Sequence, residues 1–302
     1  MELSLFDLHC DTVFEIFRNK QSLVSNDLAV SFDKSKKYRH YCQTFAIWSE
    51  ASLDDECAFE QFKKIYKYFI TDISNITPSE LRPYVLAVED ARILNNDIKR
   101  LDHLKLCNIK ILTLTWSGVS CIGGAYDTDY SLTEFGESVV NKCFELGIII
   151  DISHSSRRAC QRIFELNDNR FPIIASHSNS YSVFPHPRNL TDNEIKQIID
   201  CSGLIGINLY YKHLGLEPDA PEFTALDKIL EHMERILCLG GENALCFGCD
   251  FDGADTPKGI KTISDLDKIA DIMLSKGYSE TTVNKIFWEN ANDFANENLL
   301  YK

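Results

Sequence analysis

The residues of this sequence best suited to chemistry are histidines and carboxylates at the ends of short apolar runs. Two histidines, His154 and His177, lie within residues 148–189, each within two residues of the end of an apolar run, 148–152 and 172–175. Neutral imidazole is a common zinc ligand. One such histidine would as readily cap a backbone carbonyl, but two in the same topological position favour a shared metal. His9 and Asp11 stand at i and i+2 of an expected strand, 3–9, and so on one side of it. Glu89 ends the run YVLAVE, where a carboxylate serves either as a helix cap or as a ligand. Its three companions at equivalent places favour the ligand.

His9, Asp11, Glu89, His154 and His177 suit two borderline cations if one carboxylate bridges them. Two-metal hydrolases hold their ions about 3.5–4 Å apart and lower the pKa of a shared water toward about 7, making a hydroxide nucleophile. With no cysteine in the set, an open catalytic site is expected instead of a closed structural one. Asp250 and Asp252 repeat the i, i+2 relation in ALCFGCDFDG, and Asp250 could pass a proton from water to a leaving amine. Arg188 follows an irregular loop with two prolines; it is either solvated, paired with an acid, or a planar fork for a substrate carboxylate.

Eight strands must present these groups: 3–9, 39–48, 84–89, 108–116, 148–152, 172–175, 204–211 and one in 244–253. Helical patterns fall between most of them, at 54–75, 92–106, 133–147, 192–203 and 223–239, with a last one at 263–299. Phe59, Phe62, Ile65, Tyr66 and Phe69 form a packing stripe on 54–75. Thr133 and Gly147 read as the caps of 133–147. Alternating short apolar runs and helices predict parallel βα units. Eight of them make a single (β/α)8 TIM barrel of the metallo-dependent hydrolase type, spanning 1–302, with its active face at the strand C-termini. The loop 117–131 is long, carries Gly123-Gly124, and is expected to cover that face.

Composition narrows the class. With 31 basic and 45 acidic residues the net charge is −14, which argues against nucleic-acid or anionic-membrane partners. No run approaches the roughly 18 apolar residues of a membrane span. The opening MELSLFDLHCDT lacks a signal peptide's basic flank and apolar stretch, and eleven irregularly spaced cysteines fit reduced thiols, so a cytoplasmic location is expected. Cys246 and Cys249 lack a second pair and are expected in core and rim.

DLHCDT, LAVED, LTLTW, DISHSS, ASHSNSYSV with PRNL, and GCDFDG together resemble the membrane dipeptidase (renal dipeptidase) family of zinc peptidases, in order and spacing, across essentially the whole chain. The resemblance implies a (β/α)8 barrel with two Zn2+ that hydrolyses dipeptides, including those ending in a D-residue, and a possible homodimer. It implies that His9 and Asp11 bind one zinc, His154 and His177 the other, and Glu89 both. Arg188 would hold the dipeptide carboxylate and Asp250 would handle the proton. One departure touches the chemistry: well-studied members carry a histidine, which steadies the developing oxyanion, where this chain has Trp116. Loss of an oxyanion donor can cost roughly 10²–10³ in turnover. The alternatives are a related binuclear amidohydrolase acting on another small amide or ester, and a metal-bound barrel that Trp116 has deprived of peptidase activity. The first usually shows His-x-His on its first strand, where this chain has His-x-Asp.

Overall fold

The computed structural model describes residues 2–299. Its strands are β1 Leu5–Cys10, β2 Tyr41–Ile47, β3 Tyr84–Glu89, β4 Ile109–Thr113, β5 Ile149–Asp151, β6 Ile173–Ile174, β7 Ile205–Ile207 and β8 Leu245–Phe247. They pair in parallel in the order β6-β5-β4-β3-β2-β1-β8-β7. A parallel bridge from Ala175 to Ile205, just beyond β6, brings the two edges together. With helices outside, this is the (β/α)8 TIM barrel expected from the sequence.

Alternation along the strands creates two cores. Phe6, Leu8, Val85, Ala87, Ile111, Ile149 and Ile174 fill the barrel, closed at its far end by Ala291, Phe294 and Ala295 of helix Asn290–Asn298. Leu5, Phe45, Leu86, Val88, Leu112 and Ile150 point outward beneath the helices. One further step in the inward register of β3 and β5 places Glu89 and Asp151 at the upper end of the barrel. β1 carries one residue more than β2 between the pairs Asp7–Gln43 and Cys10–Phe45. That bulge lets Leu8 face the core while the adjacent His9 reaches the mouth.

Several expected elements are shorter than their patterns suggested. β4 stops at Thr113 and β7 at Ile207, because the chain turns to build loops at the mouth. The expected helix 92–106 divides into a 3-10 turn, Ala91–Leu94, and a helix, Lys99–Leu106; left-handed Asn95 and Asn96 (φ 45° and 58°) separate them. Gly277, at φ 93°, likewise interrupts 263–299 after helix Asp267–Ser275. The caps on Glu134–Leu146 agree with expectation: Thr133 accepts the Gly136 N–H and Gly147 is left-handed.

His232 offers a test of this packing. Buried on helix Glu222–Cys238, it accepts the Ser180 N–H at Nδ1 (3.1 Å) and donates from Nε2 to the Leu214 carbonyl (3.3 Å). Burial holds its pKa down at about 4. The unfolded value is near 6.5, so its contribution to stability is whole above pH 6.5 and is lost as pH falls from 6.5 toward 4. Between pH 7.5 and 5 the loss is about 2 kcal/mol. His232→Gln should remove that sensitivity, so urea unfolding of the variant should lose less stability over this range than wild type. Equal losses in both proteins would contradict the assignment.

Candidate metal centre

The five expected ligands converge at the C-terminal mouth of the barrel, where His9, Asp11, Glu89 and His177 are buried and His154 nearly so. β1 delivers His9 and β3 ends on Glu89. His154 lies three residues beyond β5 in a left-handed turn (φ 68°), and His177 three residues beyond β6. Asp11 is not a strand residue as the i, i+2 spacing implied. β1 ends at Cys10, and Asp11 opens helix Thr12–Asn19.

The side chains form two groups joined by Glu89. In the first, His154 Nε2 lies 3.0 Å from His177 Nε2, and Glu89 Oε1 lies 3.0 and 3.5 Å from them. His154 Nδ1 sits 3.0 Å from the Trp116 carbonyl, which can only accept, so Nδ1 bears the hydrogen and Nε2 presents its lone pair. Burial and the Arg188 charge push His154 well below the usual histidine range; burial and the His9 charge do the same for His177. Three acceptors facing one another repel unless a cation sits among them. Ligand atoms around a tetrahedral zinc with bonds of about 2.0–2.1 Å lie about 3.3 Å apart, a value these separations bracket.

In the second group, His9 Nε2 lies 3.5 Å from Asp11 Oδ2, 3.7 Å from Glu89 Oε2 and 3.9 Å from Asp250 Oδ1. His9 Nε2 and Asp11 Oδ1 are buried with no hydrogen-bond partner. Burial would lower the His9 pKa, but Glu89, Asp11 and Asp250 outweigh it and lift it to about 10. Three carboxylates around one imidazole demand positive charge. Each oxygen of Glu89 faces one group, the arrangement a bridging ligand needs. The residues present therefore fit a pair of cations.

Around this centre is a cleft of about 790 Å³ with Trp48, Trp116, Tyr126, His213 and Asp250 on its walls. Asp250 sits in a left-handed turn (φ 62°) and accepts the Asn208 amide at 2.9 Å. Burial raises its pKa to about 6. Asp252 is turned elsewhere: it accepts Thr12 Oγ1 (2.6 Å) and the Ala29 N–H (2.7 Å), pinning loops to the exit of β8. Arg188 is neither solvated nor salt-bridged. It is buried, donating to Ser178 Oγ (2.7 Å) and the His177 carbonyl (3.0 Å). The loop after β4 contributes Tyr126 and Ser117 to the cleft wall. Sequence reasoning missed Trp48, whose ring lies 5.2 Å from that of Trp116, and also His213, Asn208 and Asp151. Only the inward register of β5 pointed to Asp151.

The family model for membrane dipeptidase, peptidase family M19, matches residues 1–292. The chain belongs to the membrane dipeptidase family. A Klebsiella pneumoniae relative, described as an uncharacterized protein in the pqqA 5′ region, is 29% identical over 227 residues, 72% of this chain and 83% of its own. Among solved structures, a metallopeptidase described as dipeptidase AC superposes with a TM-score of 0.88 at 21% identity, over 99% of both chains. A Rhodobacter sphaeroides metallopeptidase, liganded with a phosphinate mimic of the dipeptide L-Ala-D-Ala, has a TM-score of 0.88 at 20% identity, over 99% of this chain and 100% of that one. The membrane dipeptidase family is one of metallopeptidases, in keeping with the convergent donors. Despite the family's name, among the described residues no helix is long and apolar enough to cross a membrane.

Gly253 leaves room for this geometry. A Cβ there would lie 2.0 Å from Asp11 Oδ2 and 2.9 Å from Asp250 Oδ1. Gly253→Ala should push Asp11 out of the cluster and weaken zinc binding about 10–100-fold in chelator competition, with an unchanged circular dichroism spectrum. An alanine variant that binds zinc as wild type does would show that Asp11 is not needed in this position.

Proposed function

We propose that this protein is a dipeptidase that uses two zinc ions and acts on free dipeptides, those with a C-terminal D-residue included. The observation that carries this reading is Glu89, with one oxygen turned to His154 and His177 and the other to His9. His9 and Asp11 would hold one ion, His154 and His177 the other, and Glu89 both. Imidazole and carboxylate donors without thiolate suit zinc in an open site. Bound there, the ions would lower the pKa of a shared water toward about 7 and polarise the scissile carbonyl.

The chain's own groups divide the remaining work. Asp250, with its free oxygen turned toward the centre, can hold the proton released as water adds to the carbonyl carbon. It then gives that proton to the departing amine as the C–N bond breaks. Asn208 keeps one Asp250 oxygen occupied, leaving the other toward His9. Arg188 brings a buried positive charge close to Asp250 and Glu89, and that charge would attract the dipeptide's free carboxylate. Trp116 and Trp48 offer an apolar wall to substrate, and the Trp116 indole N–H would be one donor in place of the histidine that the resemblance implies there. All eleven cysteines are unpaired, which supports a reducing compartment such as the cytoplasm.

The test is hydrolysis by zinc-loaded protein of L–L, L–D and D–L dipeptides alongside one N-blocked dipeptide. Free dipeptides should be cleaved, and both chelator and Glu89→Ala should abolish turnover. Arg188→Leu should cut kcat/KM at least about tenfold, as loss of a charged hydrogen bond predicts. No cleavage of any free dipeptide, with two zinc ions bound, would refute the proposal and favour another amide or ester as substrate.

A further inference from the structure

We propose that Asp151 and Ser176 are positioning residues that fix the tautomer of His177 and so set the metal-binding nitrogen. This rests on the reading of His177 as a metal ligand and adds a role for two residues outside the ligand set. Asp151 is completely buried at the end of β5 and accepts four hydrogen bonds. Oδ1 takes the backbone N–H groups of Ser153 and Ser176, both at 2.9 Å. Oδ2 takes the hydroxyls of Thr113 and Ser176, both at 2.6 Å. Ser176 Oγ in turn lies 2.7 Å from His177 Nδ1.

A serine hydroxyl has one hydrogen. If Ser176 gave it to His177, two bare acceptors, Ser176 Oγ and Asp151 Oδ2, would face each other at 2.6 Å in a dry interior. If Ser176 gives it to Asp151, both serine contacts are satisfied: Oγ accepts from His177 Nδ1–H, which leaves Nε2 a bare lone pair 3.5 Å from Glu89 Oε1, as a metal ligand needs. The carboxylate thus reads through the serine to the imidazole. Two further bonds keep the residue in place, as Ser153 Oγ accepts the His177 N–H (3.2 Å) and Arg188 donates to the His177 carbonyl. His154 reaches the same tautomer through a main-chain acceptor, the Trp116 carbonyl, so of these two histidines it is His177 whose choice depends on side chains. Histidine ligands commonly need such a partner for their second nitrogen, and losing it costs about 10–100-fold in metal affinity.

Asp151→Asn provides the critical test, because it keeps the shape and reverses one polarity. With its carbonyl on the two N–H groups, the new amide donates to Ser176 Oγ. The serine hydrogen is then released to His177 Nδ1, and Nε2 carries a hydrogen that blocks the metal. In metal-free protein labelled with ¹⁵N-histidine, the His177 Nδ1 and Nε2 signals, assigned by their loss in His177→Gln, should exchange protonated and bare character in Asp151→Asn. Zinc affinity, measured by chelator competition, should fall about 10–100-fold. Ser176→Ala, which leaves Asp151 its other three donors, should lower affinity similarly and covers the case in which the Asn variant does not fold. The proposal is overturned if folded Asp151→Asn keeps the wild-type tautomer, or if Ser176→Ala binds zinc as wild type does. Neither readout requires catalysis, so wild-type zinc binding without dipeptide cleavage would refute the proposed activity and leave this inference standing.

Discussion

A carboxylate buried in a low-dielectric interior is tolerated only where hydrogen-bond donors or positive charge meet it, and one that neighbouring donors do not surround needs the charge. Glu89 is that carboxylate. Burial, together with the nearby Asp11 charge, pushes its pKa well above the usual carboxylate range. Asp11 and Asp250 deepen the local negative potential, His9 offsets it on one side, and two imidazoles with bare nitrogens approach from the other. The centre is therefore electrostatically incomplete as a set of protein groups. Its geometry is coherent once cations are included, and the surrounding structure can be understood as the means of holding like-charged and lone-pair atoms near one another.

The barrel does this with backbone devices placed at the mouth. The bulge in β1 turns His9 inward after Leu8 has filled the core. Left-handed conformations at His154 and Asp250 aim side chains back over the strands that precede them, a strain of the kind concentrated at working sites. The chain leaving β6 presses between β7 and β8 so closely that a Cβ on Gly206 or Gly248 would lie 1.9 or 1.7 Å from the Ser176 carbonyl. Glycine at both positions is what lets His177 reach Glu89. The short strands after β4 reflect the same need, since each gives up ladder pairing early to build a turn at the mouth.

How much of this was readable in the sequence depended on range. Apolar runs ending in His or Glu are local patterns, so the eight strands and the convergence of His9, Glu89, His154 and His177 were legible from spacing, whereas Asp11 joins them from the cap of a helix and not from a strand. What failed was the assumption that extended geometry continues past a strand end. Asp250 and Asp252 share a spacing that would align them on a strand. Both instead occupy left-handed turns, and only Asp250 faces the centre. Asn95, Asn96 and Gly277 broke helices because a positive φ is chosen by the whole fold more than by neighbouring residues. Trp48, His213 and Asn208 come from distant segments and became visible only when the barrel brought them to the cleft.

Trp116 shows how one residue can serve such a centre through its backbone while its side chain does something else. The position contributes to His154 through a backbone carbonyl, and every amino acid supplies one. The side chain is free of that duty. Its ring stacks beside His154, with centroids 6.3 Å apart and planes 28° apart, and packs against Trp48 on the cleft wall. A different side chain at this point would alter the cleft wall while leaving the tautomer of His154 as it is. The carbonyl that orients His154 and the ring that walls the cleft are different atoms, so variation in the side chain need not disturb the histidine.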